Sequence, residues 1–214
     1  MIDSYITVSR RACKEIVINK SRFIGYASPA ESEEQALSFL RELKEEHRSA
    51  THHCYAYIIG ENSGVMRYSD DGEPGGTAGL PIMEVMKARK IVNCCVVVVR
   101  YFGGVLLGTG GLVRAYTQSS QLALEAAGPA RMEMTSVEAC RLPYSAWDKL
   151  RYAAEKLPVK IQQVEYGEDI SFRLLVRSAD REACLAALMD ASGRTLKSSP
   201  ESESYQLWDM ENEN

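Results

Sequence analysis

The sequence predicts an α+β protein of two domains, and three observations carry that prediction. The chain has 214 residues, a length that suits two domains of about 80 to 130 residues each. Strand-like alternation and helix-like apolar stripes both occur before and after residue 130, so neither half is all-helical or all-strand. From Val137 onward the order reads strand, helix, strand, strand, helix, strand, the split motif of ferredoxin-like domains. The two domains are placed at residues 1–132 and 135–208.

In the first domain, Lys14–Ile18 and Arg22–Tyr26 alternate apolar and polar residues and read as two strands. Ser28, Pro29 and Glu31 fit N-cap, N1 and N3 of a helix whose apolar face carries Ala36, Leu37, Leu40 and Leu43. His52–Ile59 is rich in aromatic and β-branched residues, a strand. Ser69–Gly79, with four glycines, a proline and three acids, is a loop. Pro81–Lys90 reads as a helix, and the nearly continuous apolar run Ile91–Val99 as a strand buried on both faces. The glycine-rich segment Arg100–Leu112 follows, then a helix over Leu112–Ala127 stopped by Gly128–Pro129.

In the second domain, Val137–Leu142 is a strand and Ser145–Lys156 a helix, with Ser145 and Asp148 set as N-cap and N3. Val159–Tyr166 and Ile170–Arg177 form a hairpin across Gly167–Glu168–Asp169. Asp180–Met189 is a helix stopped near Gly193, and a last strand lies between Thr195 and Leu207. The polar tail 209–214 is expected to fray.

Charge narrows the classes of function. The net charge is −4, which opposes loose electrostatic binding to nucleic acid but leaves room for a local basic groove. Up to Thr135 there are fifteen basic and fifteen acidic residues; beyond it, ten and fourteen. The first domain is therefore the better host for a polyanion. None of the six cysteines has C-x-x-C spacing, so they read as reduced thiols of a cytoplasmic protein. No apolar run approaches a membrane span, and no signal-peptide core is present. No metal, cofactor or membrane partner is expected.

Three clusters carry chemistry. Gly103, Gly104, Gly108, Gly110 and Gly111 lie between a buried strand and a helix, where free amides favour an anion. Thr109 stands where a P-loop needs lysine, and the G-x-G-x-x-G pattern fails, so a nucleotide enzyme is not expected. The same glycines equally suit close packing of helix on sheet. Arg100, Tyr101 and Phe102 add a phosphate-pairing guanidinium and two stacking faces. Asp70, Asp71 and Glu73 form the second cluster; such carboxylates hold a metal, work as acid and base, or cap the backbone of a turn. His52, His53 and Cys54 are consecutive, so a strand sends them to alternate faces and they cannot ligate one metal together. His52 remains a polar member of a surface site. No nucleophile elbow is present.

From Gly79 to Gly108 the spacing of Gly79, Ile82–Met83, Met86, Ile91, Val97–Val98, Arg100–Gly104, Leu107 and Gly108 resembles the signature of the IMPACT/YigZ family without mismatch. Lys20–Phe23, Thr51–Tyr55 and Asp70–Pro74 also resemble the family, so the likeness covers about residues 1–130. The later part resembles the second domain of the bacterial members by its order of elements. The resemblance implies an N-terminal domain like ribosomal protein S5 domain 2, as in domain IV of elongation factor G. It implies a C-terminal ferredoxin-like domain, as in domain V of that factor. It further implies a non-enzymatic, translation-associated protein contacting RNA, the ribosome or a translation factor. Eukaryotic members restrain the kinase pathway that senses amino-acid starvation, but carry a preceding module for which this chain has no room, so the expected likeness is to bacterial members. The expected contact face carries His52, Asp70, Asp71, Arg100, Tyr101, Phe102 and the glycine turn. The alternative is a small-molecule hydrolase or metal enzyme using the Asp70/Asp71 loop.

Overall fold

Two antiparallel sheets, each backed by helices, make the protein α+β, the class the sequence predicts; a computed structural model describes residues 2–208. The polar tail falls outside those residues. The chain divides into two compact units, Tyr5–Arg131 and Met132–Trp208, the latter joined by residues 2–4.

In the first unit the sheet order is β2 (Ala12–Ile18), β3 (Ser21–Pro29), β6 (Cys94–Tyr101), β4 (His52–Ile59), β5 (Val65–Ser69). The Cys-Cys-Val-Val-Val-Val run of β6 takes the centre, buried on both faces, because its side chains offer nothing to water on either side. By alternation, Cys95, Val97 and Val99 face α1 (Glu33–Glu46), packing on Phe39, Leu40 and Leu43. Val96, Val98 and Arg100 face the other side, where α2 (Gly79–Ala88) and α3 (Gly108–Ala127) lie.

Helix α1 begins one turn later than its sequence predicts. Ser28 and Pro29 continue β3 and pair with Cys95 and Cys94, since the buried centre strand needs a full-length partner. The cap is Ser32, whose Oγ accepts the Gln35 amide at 3.2 Å, while Gln35 Oε1 accepts the Glu31 amide at 2.7 Å. Helix α3 starts four residues earlier than predicted, at Gly108, so Gly108, Gly110 and Gly111 form its first turn. The strands β1 (Ser4–Val8) and β5 had no sequence counterpart; β5 is a mostly exposed edge without clean alternation.

The glycine that lets α3 close on the sheet is Gly25 of β3, not one in the turn. A Cβ there would lie 2.5 Å from the Ser119 carbonyl oxygen and 2.8 Å from its Oγ.

In the second unit β7 (Pro129–Leu142), α4 (Tyr144–Ala154), β8 (Val159–Tyr166), β9 (Ile170–Arg177), α5 (Arg181–Ala191) and β10 (Lys197–Trp208) follow in order. β7 pairs with both β9 and β10, and β8 lies outside β9, the ferredoxin-like arrangement. Trp147, Leu150, Phe172, Leu174 and Leu188 fill its core. Ser145 does not cap α4, as the sequence suggested; Pro143 holds the N-cap position in an extended conformation without a side-chain bond.

Gly25→Ala is expected to lower unfolding free energy by about 1–3 kcal/mol through overpacking against α3, measured by urea denaturation. An unchanged midpoint would contradict the close approach.

Candidate functional site

Beneath the glycine turn lies a buried polar network built from three elements. The loop after β5 brings in Glu73, β6 brings Arg100, and α3 brings Tyr116. Arg100 Nη1 donates to Glu73 Oε1 at 2.6 Å, with both side chains nearly inaccessible. Tyr116 donates its hydroxyl to the same oxygen at 2.7 Å. Cys54 Sγ lies 3.3 Å from the Tyr116 oxygen and 3.0 Å from the Asp70 carbonyl, and can donate to either. Burial pushes the Cys54 thiol up to about 12 and raises the Tyr116 phenol further, so both stay protonated donors at neutral pH. The thiol is thereby a structural group rather than a nucleophile.

This network corrects the expectation for Arg100. Its guanidinium is not offered to a phosphate. It is committed to Glu73, sits 3.4 Å from Ser21 Oγ, and stacks between the rings of Phe23 and Phe102 at 5.3 and 5.4 Å. A buried guanidinium requires a counter-charge, and Glu73 is the one within reach.

Asp70 is likewise used by the fold. Its carboxylate accepts the amides of Gly76, Ala78 and Gly79 at 2.8–3.0 Å, closing the loop and capping the start of α2. Asp71 accepts the His53 amide at 2.7 Å and lies 3.6 Å from Lys44 Nζ. The carboxylates on which a hydrolase reading depended therefore serve the turn. Among the described residues no group of three or more histidine, cysteine or acidic side chains is disposed to hold a metal.

His52 pairs opposite Arg100 in the sheet, so both point to the α2/α3 face. The Asp71 carbonyl, 2.8 Å from Nδ1, can only accept, so Nδ1 carries the proton. Nε2 then lies 3.8 Å from Glu73 Oε1. Tyr101 departs from its expected face: alternation turns it toward α1, where its hydroxyl meets His47 Nδ1 at 2.9 Å. Tyr26 meets the other nitrogen of His47 at 2.7 Å.

The turn itself stays open. Gly103 presses on the β2–β3 turn, where an added Cβ would come within 2.1 Å of the Lys20 backbone, and its amide donates to Ser21 Oγ at 3.2 Å. Gly104 and Gly108 have φ of +82° and +68°. Leu107, at the N-cap of α3, makes no side-chain cap bond. Among the described residues, no hydrogen bond from outside α3 engages the amides of Gly104, Gly108 or Gly110. Arg114 is exposed and turns its Nη1 back to Gly110, 3.8 Å from where a Cβ would stand. Neither Arg114 nor Lys20 meets a carboxylate among the described residues. Phe102 is 46 % exposed.

The expected site residues thus separate into a buried one (Arg100), two half-buried turn ligands (Asp70 and Asp71), one turned to the opposite face (Tyr101), and an outward set around the turn. Glu73, Tyr116, Ser21 and Arg114 complete the arrangement. Tyr116 had no sequence signal beyond its place on α3, because its partners Cys54 and Glu73 are remote in the chain, and Arg114 had none because spacing does not say which way its guanidinium turns. Sequence proximity alone groups Glu73 with Asp70 and Asp71.

A two-domain α+β protein with a locked ion pair under an open glycine turn is the class the structure defines. Residues 19–124 match the Impact N-terminal domain and residues 140–194 match a domain of unknown function, DUF1949. The chain is 38% identical to the IMPACT family member YvyE of Bacillus subtilis over 86% of this chain and 84% of that protein. It is 39% identical to an IMPACT family member of Thermus thermophilus over 81% of this chain and 94% of that protein. With the IMPACT family member YigZ of Escherichia coli it shares 46% identity over 46% of this chain and 50% of the relative. A crystal structure of a hypothetical protein is similar to it with a TM-score of 0.61 and 30% identity, covering 94% of this chain and 99% of that one. The chain belongs to the IMPACT family.

Arg100→Met, which strands Glu73, is expected to cost about 3–5 kcal/mol in urea denaturation, and adding Glu73→Met to recover most of it. A double mutant no more stable than the single one would refute the pairing. His53 supplies a pH signature. Burial lowers its pKa from 6.5, against the Asp71 charge and with Lys44 and His47 nearby. The unfolded chain therefore binds its proton first. Its contribution is full above about pH 6.5 and fades as pH falls toward the depressed folded value. His53→Gln should flatten the melting-temperature profile below pH 6.5; an unaltered slope would show that other groups set it.

Proposed function

We propose that the protein is a translation-associated binding protein that contacts RNA or the ribosome through the face of its first domain carrying the glycine turn. Membership of the IMPACT family supports a translation-related regulatory role. The observation that carries the contact is Arg114 folded back over the first turn of α3, beside Gly110 and without a carboxylate partner among the described residues. A guanidinium beside the positive end of a helix is repelled unless an anion sits between them. Phosphate fits that charge pattern, and the open amides of Gly104, Gly108 and Gly110 supply donors for it. Lys20, whose backbone abuts Gly103, widens the positive field.

The balanced charge of the first domain favours few phosphate contacts over a broad basic footprint. The binding is therefore expected to be of modest salt sensitivity.

Co-sedimentation of the full chain with purified bacterial ribosomes across a salt series tests the reading. Retention near 50 mM salt that falls as salt rises is expected, with Arg114→Ala weakening it about five- to tenfold, the effect of losing one charge-assisted contact. No retention at low salt, or an Arg114→Ala variant that binds like the parent, would overturn it.

A further inference from the structure

Three large apolar side chains stand out of the same turn: Phe102, 46 % exposed, Val105, 40 %, and Leu106, 85 %. Single exposed apolar residues are ordinary, but three within five positions, at the lip of an anion-facing turn, form a patch that folding alone leaves unexplained. They take no part in the core between the sheet and α1, which is built from residues of β3, β4, β6 and α1.

Phe102 is also held in place. Its amide donates to Thr51 Oγ1 at 3.1 Å. The Arg100 guanidinium lies 5.4 Å from its ring centroid, and that guanidinium is itself pinned by Glu73 and Ser21. A ring braced from the protein side and open to solvent is a preformed platform, so a planar ligand stacks on it with little ordering cost.

We propose, building on the anion-facing reading of the turn, that the nucleic acid it takes is unpaired RNA. Base faces stack on Phe102 and against Val105 and Leu106, while the adjoining phosphates meet the turn amides, Lys20 and Arg114. Duplex RNA hides its base faces and shows phosphates and 2′-hydroxyls, which leave three apolar side chains facing polar groups. Unpaired RNA offers both the flat apolar faces and the charge. The balanced charge of the first domain points the same way, because a protein without basic excess has little counterion release to draw on and needs a non-ionic contact. The buried Arg100 gains a function in this arrangement: it positions the ring from behind rather than touching phosphate.

The test is fluorescence anisotropy of the full chain with a labelled single-stranded twelve-nucleotide RNA, the same RNA annealed into a blunt duplex, and anionic phosphatidylglycerol vesicles in a parallel flotation assay. The single strand is expected to bind at least tenfold more tightly than the duplex. Its log affinity should fall with log salt at a slope of about −1.4, two phosphates at about −0.7 each. Phe102→Ala should weaken the single strand about tenfold and leave the duplex unchanged. Leu106→Ser, at a position too exposed to affect folding, should weaken it in the same sense. Equal or tighter duplex binding, or a Phe102→Ala variant with parental single-strand affinity and an intact melting transition, overturns this inference while leaving the anion-facing reading standing. Binding of neither RNA together with ribosome retention overturns it too. Loss of both RNA binding and ribosome retention brings down the parent reading with it. Flotation with vesicles in the absence of RNA binding assigns the apolar lip to a lipid surface and likewise overturns it.

Discussion

The carboxylate of Glu73 is the point on which the first domain turns. It sits in a loop that has no regular structure of its own, yet it is nearly inaccessible and accepts from Arg100 on the centre strand and Tyr116 on α3 at 2.6 and 2.7 Å. A buried charge must be paired and hydrogen-bonded or its burial is not tolerated. That requirement draws the glycine-rich 70–79 loop down onto the sheet. It also sets where α3 can lie, and with α3 the turn that precedes it. Asp70 completes the constraint from the other side by accepting three backbone amides of the same loop.

The consequence for function is a division of labour between two arginines. Arg100 stands next to the turn in sequence, but the sheet sends it inward, where its charge is neutralised and its plane braces Phe102. Arg114 stands fourteen positions further on, and the helix returns it to the turn because residues four apart share a face. The guanidinium left exposed beside the turn is thus the one that the helix brings back rather than the one that the strand delivers. The rigid interior and the open rim have separate jobs: one supplies a fixed platform, the other supplies unsatisfied donors.

Glycine use follows the same division. Gly25 and Gly103 are sites of close approach, where a side chain would strike the α3 backbone or the β2–β3 turn. Nothing lies within 4 Å of where a side chain would stand on Gly104 or Gly108. Those two residues shape the turn through positive φ values and leave its outer side clear.

The element types, the α+β class and the ferredoxin-like order of the second half are written in the chain itself, because periodicity and turn residues act over a few neighbours. Val159–Tyr166 and Ile170–Arg177, for example, appear as strands with the bounds their alternation implied. The placement of Ser32 rather than Ser28 as the cap of α1 is not local, since it depends on β3 extending to pair with β6. The fate of the charged residues is less local still. Whether an arginine faces a phosphate or a buried glutamate twenty-seven positions away is decided by which faces two elements bring together. Sequence spacing carries no record of that meeting; only the packed sheet, with Glu73 folded beneath it, settles which charges are paired inside and which stay exposed.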